Sequence, residues 1–96
     1  MNYAFLIMGD YSPLRDRASM AGESVRMIGV SGLEEACRIA GELAAEGIDC
    51  IELCGAFGEK GARKVIEAAG GKIPVGYVVH LPEQDGLFEA LFGPEN

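Results

Sequence analysis

Residues 24–81 read SVRMIGV, SGLEEACRIAGELAAEG, IDCIELC, GAFGEKGARKVIEAAGG and IPVGYVVHL, and this alternation decides the fold. The first, third and fifth pieces are short apolar runs bounded by glycine, serine or proline, which predicts strands over 24–30, 48–54 and 73–81. Between them, Leu33, Ala36, Cys37, Ala40, Leu43 and Ala44 recur at spacings of three and four, with Gly47 as a stop. Ala62, Val65, Ile66 and Ala69 repeat the pattern before Gly70-Gly71. The Ser31-Gly32-Leu33-Glu34 sequence is a capping pattern that starts the first helix with Ser31 as its N-cap. Strand, helix, strand, helix, strand is a βαβαβ unit, and right-handed crossovers make its sheet parallel.

Working outward, Tyr3–Met8 (YAFLIM) is a nearly continuous apolar run closed by Gly9-Asp10, the pattern of a strand covered on both faces. It is expected to join the sheet in parallel, with residues 10–23 as the crossover; an antiparallel placement would make that segment a long hairpin loop. Leu14, Ala18 and Ala21 offer a short helix there, and Arg15, Asp16 and Arg17 a solvated loop surface. Pro82 ends the last strand, and Leu87, Phe88, Leu91 and Phe92 give an amphipathic tail at helical spacing. The expected fold is therefore α/β: a single-layer, mainly parallel four-stranded sheet with helices packed on it, forming one domain over residues 1–96.

Fifteen acidic against eight basic side chains give a net charge of −7. It is spread evenly, with seven acidic and four basic residues in 1–48 and eight and four in 49–96, so no basic face for nucleic acid is expected. The three cysteines, Cys37, Cys50 and Cys54, form no disulfide framework, and no secretory or membrane-spanning run is visible; reduced thiols in the cytoplasm are the simplest expectation. Nearly half of the residues, 49%, are apolar, which is high for a small chain to bury alone. The apolar tail and an exposed sheet edge both seek cover, so a homo-oligomer is expected, by default a dimer.

In an open parallel sheet, ligands gather beyond the C-terminal ends of the strands. The residues placed there are Gly9, Asp10 and Tyr11, then Ser31 and Gly32, then Cys54 to Gly58, and His80. The turn Gly55-Ala56-Phe57-Gly58 opens a helix, where free N–H groups attract a phosphate or carboxylate, although it matches neither the dinucleotide fingerprint nor the P-loop and so identifies no cofactor. A plain strand-to-helix turn explains the same glycines. His80, the sole histidine, suits a general acid or base, with Cys54 as a neighbouring thiol and Asp10 to orient the ring; alternatively it is a structural histidine beside a buried thiol.

Glu52 interrupts an apolar strand and calls for a partner: a pocket ligand, or a salt bridge to Arg26, Lys72 or another subunit. Cys50, Glu52 and Cys54 share a strand face, but four residues at about 3.3 Å each separate the thiols by roughly 13 Å, too far for one zinc ion, and no metal is expected.

The stretch from Gly47 to Gly58, followed by Gly61-Ala62 and by Ile73-Pro74-Val75-Gly76-Tyr77, resembles a family of short prokaryotic α/β proteins classed as a domain of unknown function. The resemblance implies the α/β fold and supplies no active residue. Three functions compete: an oligomeric binding or regulatory domain holding a small anionic or polar metabolite at the strand ends; an enzyme using His80 with Asp10, Glu52 or Cys54; and an interaction module without a ligand.

Overall fold

The computed structural model describes residues 1–94; Glu95 and Asn96, the end of the expected domain, lie outside the described residues. Five strands, β1 (Tyr3–Met8), β2 (Arg17–Met20), β3 (Val25–Val30), β4 (Cys50–Leu53) and β5 (Val75–Tyr77), form one sheet in the order β2-β3-β1-β4-β5. All neighbours are parallel except β2 and β3. The mainly parallel α/β sheet, including a parallel β1, is as expected, but the strand count is corrected from four to five.

The added strand comes from the segment read as a crossover. Residues 17–20 turn back antiparallel to β3, so that β2 and β3 make an edge hairpin and no helix forms there. All four β2 residues are exposed, and Arg-Ala-Ser-Met carries little strand preference of its own. Its conformation is fixed by pairing with β3.

That substitution of a strand for a helix leaves the sheet one-sided. The chain moves in one direction across the sheet from β3 through α1 (Leu33–Glu46) to β4, and on through α2 (Gly58–Ala68) to β5. Right-handed crossovers that progress in one direction deposit their helices on one face. Accordingly Ala36, Ala40 and Leu43 of α1 and Ala62 and Val65 of α2 join Ala4, Leu6, Ile28, Val30, Ile51 and Leu53 in a single core. The connection from β1 to β3 runs the other way and would have put a helix on the opposite face. Because it is a hairpin, that face is left with no helix of its own, and the expectation that β1 is covered on both sides is corrected: Ala4 and Leu6 are fully buried, whereas Tyr3, Phe5 and Ile7 are only half-buried.

The ends of the helices follow from local chemistry. Gly32, in extended backbone, is the N-cap of α1, and Ser31 stands one residue earlier than a cap. The Ser31 N–H and hydroxyl both donate to Glu35, at 2.7 and 3.0 Å, so the reciprocal contact falls on Glu35 and not on Glu34. Those two hydrogen bonds, the backbone one first, hold the Glu35 carboxyl below its usual pKa. Gly47, left-handed at φ 91°, closes α1 with its N–H directed at the last carbonyls.

The last strand is shorter than its apolar run suggests. β5 stops at Tyr77 because its only partner, β4, stops at Leu53; after the Val78 N–H donates to the Leu53 carbonyl, the chain peels away. A short 3₁₀ turn (Pro82–Gln84) and α3 (Asp85–Phe92) follow, and α3 packs chiefly on that turn. Residues 78–92 thus form a projecting arm, in which no residue of α3 is buried. No helix among the described residues is long and apolar enough to cross a membrane.

Candidate functional site

The open face of the sheet carries its own pattern, set by the alternation of side chains along each strand. Tyr3, Phe5 and Ile7 of β1 run along its centre, flanked in register by Val25, Met27 and Gly29 on β3 and by Cys50 and Glu52 on β4. Ala18 and Met20 extend it to the β2 edge, where Met20 and Met27 are 67% and 47% exposed. Gly76 completes it beyond Glu52.

Glu52 lies across this face rather than in the core. Its carboxylate oxygens sit over Gly76, where any Cβ would stand 2.8 and 2.9 Å from them. Of the partners expected for it, Arg26 extends to the helical side and pairs with Glu46 at 3.2 Å, and Lys72 forms no ion pair with it among the described residues. Instead the Cys50 thiol donates to Glu52 over 3.8 Å. Burial first, and then the charge and hydrogen bond of Glu52, push the Cys50 pKa up, and the same burial and charge raise that of Tyr3. Glu52→Gln is therefore expected to bring the Cys50 pKa part of the way back down, the burial contribution remaining. Alkylation by iodoacetamide across a pH series, read by mass spectrometry, checks this, with Cys37, which burial also pushes up, as the thiol that stays unchanged.

His80 stands three residues past β5, in the arm. Its Nε2 is 2.7 Å from the Asp85 carboxylate, and its ring stacks on Phe88 at 4.0 Å and 6°. A carboxylate orienting an imidazole is the arrangement of many general bases, but here its second ring face meets an aromatic side chain. Cys54 is committed elsewhere: its sulfur accepts the Met8 N–H at 3.3 Å, tying the end of β4 to the end of β1. Asp10 is exposed beyond β1. Among the described residues, no hydrogen bond joins His80 to Asp10, Glu52 or Cys54.

The glycine turn forms a 3₁₀ helix over Gly55–Phe57 that runs into α2. Phe57 is buried in the core, so its side chain anchors the turn, and Gly58, at φ 63°, makes the reversal into α2. Glu59 at the helix entrance is held by Arg63 at 3.0 Å. No group of three His, Cys, Asp or Glu side chains able to hold a metal ion occurs among the described residues.

The segment between β1 and β2 roofs one end of the open face. Residues 10–16 arch over the C-terminal ends of β1 and β3, where the Asp16 carbonyl accepts the Gly29 N–H at 2.8 Å and the Tyr11 ring packs on Gly29. A Cβ on Gly29 would stand 2.6 Å from the Tyr11 Cβ, so only glycine admits this ring. Beneath the arch is a cleft of about 420 Å³ lined by Ile7, Tyr11, Arg15, Asp16, Arg17, Ala18, Met27 and Gly29.

A family model described as a family of unknown function, DUF6506, matches residues 1–93. No curated protein and no solved structure matches the chain.

Proposed function

The chain belongs to the DUF6506 family, whose function is unknown, and we propose that it works as a small self-associating binding domain in which two copies cover each other's open sheet faces with their C-terminal arms. One observation carries this reading: a single chain presents two apolar surfaces that it does not use to cover each other. The face offers Phe5, Ile7, Met20 and Met27. In the arm, Val78, Val79, Leu81, Leu87, Phe88, Leu91 and Phe92 are all at least 40% exposed.

Seven side chains of that size present apolar area on the order of the ~800 Å² that each partner contributes to a standard interface. Apolar patches of such extent mark interaction sites. The arm is also ordered before it meets anything, through the His80–Asp85 bond and the stack of His80, Phe88 and Phe92. Less ordering entropy then opposes association. A reciprocal exchange satisfies both surfaces and closes on itself as a two-fold dimer, without leaving a free end for further growth.

Binding is favoured over catalysis because the groups a reaction would need to combine are each committed to separate partners: His80 to Asp85, Cys54 to Met8, Glu52 to Cys50. Phe88→Ala removes the middle of the aromatic stack and is expected to lower the dimer fraction in sedimentation velocity at micromolar concentration. Because α3 contributes nothing buried, the far-ultraviolet circular dichroism should stay close to that of the parent. An unchanged dimer fraction would count against the arm as an interface.

A further inference from the structure

We propose that each arm docks at one particular end of its partner's open face, with Leu91 and Phe92 seated in the cleft beneath the arch of residues 10–16 of a second copy. The inference rests on the reading of reciprocal arms and adds where each arm lands and in which sense the two sheets run.

Topology gives the direction. The arm leaves the C-terminal end of β5, at one edge of the sheet, while the cleft lies at the C-terminal ends of β1 and β3, toward the β2 edge. Arm and cleft therefore share an end of the strands and sit toward opposite edges. At about 4.8 Å between neighbouring strands, β5 stands roughly 14 Å across the sheet from β3, with β4 and β1 between them. When two copies meet by their open faces, the two-fold axis lies in the plane between the sheets. An axis along the strands exchanges the edges and keeps the ends, so it carries each arm onto the other copy's cleft. An axis across the strands keeps the edges and exchanges the ends, which leaves each arm over the partner's β5 at the wrong end. Of the two, the first brings arm and cleft together, with the strands of both copies running in the same sense.

Charge selects the same arrangement. Glu52 is the sole charged side chain that the paired strands place on the open face. Residues 73–94 carry Glu83, Asp85 and Glu89 and no lysine or arginine. Covering Glu52 with this arm would bury a carboxylate beside others with no cation to offset them. The axis across the strands brings the arm to the β4–β5 half of the face, where Glu52 stands; the axis along them takes it to the β2–β3 half. There the rim of the cleft carries Arg15 and Asp16, whose charges offset each other, and Arg17 belongs to the helical side by its register with the buried Ile28. The walls, Ile7, Tyr11, Ala18 and Met27, are apolar, and the volume of about 420 Å³ falls within the roughly 300–1,000 Å³ of small-molecule pockets, ample for large side chains. A neutral rim around an apolar floor suits Leu91 and Phe92, and Met27, unbranched and adaptable, closes around an inserted ring.

The test is photo-crosslinking of the full chain with p-benzoylphenylalanine in place of Phe92. Natural-abundance and ¹⁵N-labelled protein are mixed at low concentration and reconcentrated, so that a bond between two copies carries both labels. Trypsin separates the two exposed methionines of the face, because cleavage after Arg17, Arg26 and Arg38 puts Met20 in residues 18–26 and Met27 in residues 27–38. Mixed-label products attached at Met27 are expected. In parallel, Met27→Glu should weaken association by on the order of tenfold or more, since a carboxylate must then be buried. Met20→Glu, at the far end of the same face, should leave it within about twofold, as for a surface change away from any contact. Both side chains are exposed in one chain, at 47% and 67%, so neither change removes a core contact. Mixed-label products at Met20 or on the helical side, or a Met27→Glu variant that associates as the parent does or no worse than Met20→Glu, would overturn the docking site and leave reciprocal arms standing. A dimer that yields no product would place Phe92 outside the interface and overturn it too. Products of a single label alone would show the arm folding onto its own chain, and chains that stay single at every concentration would show no assembly; either result would overturn the docking site and the reciprocal arms together.

Discussion

Glutamate at both Leu91 and Phe92 is expected to separate the proposed dimer into single chains, weakening association by at least about 100-fold. The two side chains are 76% and 75% exposed in one chain, so within that chain their replacement disturbs no core contact. If a second copy covers them, the parent gains roughly 1.5–3 kcal/mol for each large apolar side chain buried, and the variant must instead bury or expel two carboxylates. The added charge falls on chains that each already carry −7, which further opposes their approach. Sedimentation equilibrium over a dilution series measures the shift, and the thermal midpoint at low concentration should move little. A dimer of parental strength would mean that the arm lies outside any interface.

Leu6→Ala is expected to cost about 2–5 kcal/mol of folding stability, the range for deleting a buried leucine. Leu6 is completely buried on the central strand, in register with Ile28 on one side and Leu53 on the other, both themselves buried. For a domain of this size the thermal midpoint should fall by more than about 10 °C. Ile7→Ala, one residue along on the half-buried open face, should cost markedly less at concentrations where the chain is single. As association proceeds, its cost should grow. Equal and concentration-independent losses at the two positions would remove the distinction between a covered and an uncovered face.

That distinction also shows how far the sequence could be read. The spacing of Leu33, Ala36, Ala40 and Leu43, and of Ala62 and Val65, is local information, and it located both helices to within a residue or two because an apolar stripe at helical period has few other uses. The parallel sheet followed from those helices through the handedness of their crossovers. β2 was missed because Arg17-Ala18-Ser19-Met20 has no pattern of its own, and its strand is imposed by a neighbour. Once residues 10–23 were taken for a crossover, the open face was hidden as well, since Tyr3-Ala4-Phe5-Leu6-Ile7-Met8 is apolar in both registers and reads the same whether its second face meets a helix or another molecule.

The site residues were legible as chemical types and much less so as an arrangement. Glu52 was recognised as out of place in an apolar strand, and it lies on the face that the chain leaves uncovered. His80 was placed at a strand end because Val78 and Val79 continue the apolar run, but a strand needs a partner, and β4 had already ended.

The most direct test of the central claim is native mass spectrometry of the unmodified chain across a range of concentrations. Reciprocal covering of the open faces by the arms predicts a discrete dimer that gives way to single chains only on dilution. A bare monomer at every concentration would contradict it, leaving the open face and the projecting arm without the partner proposed for them.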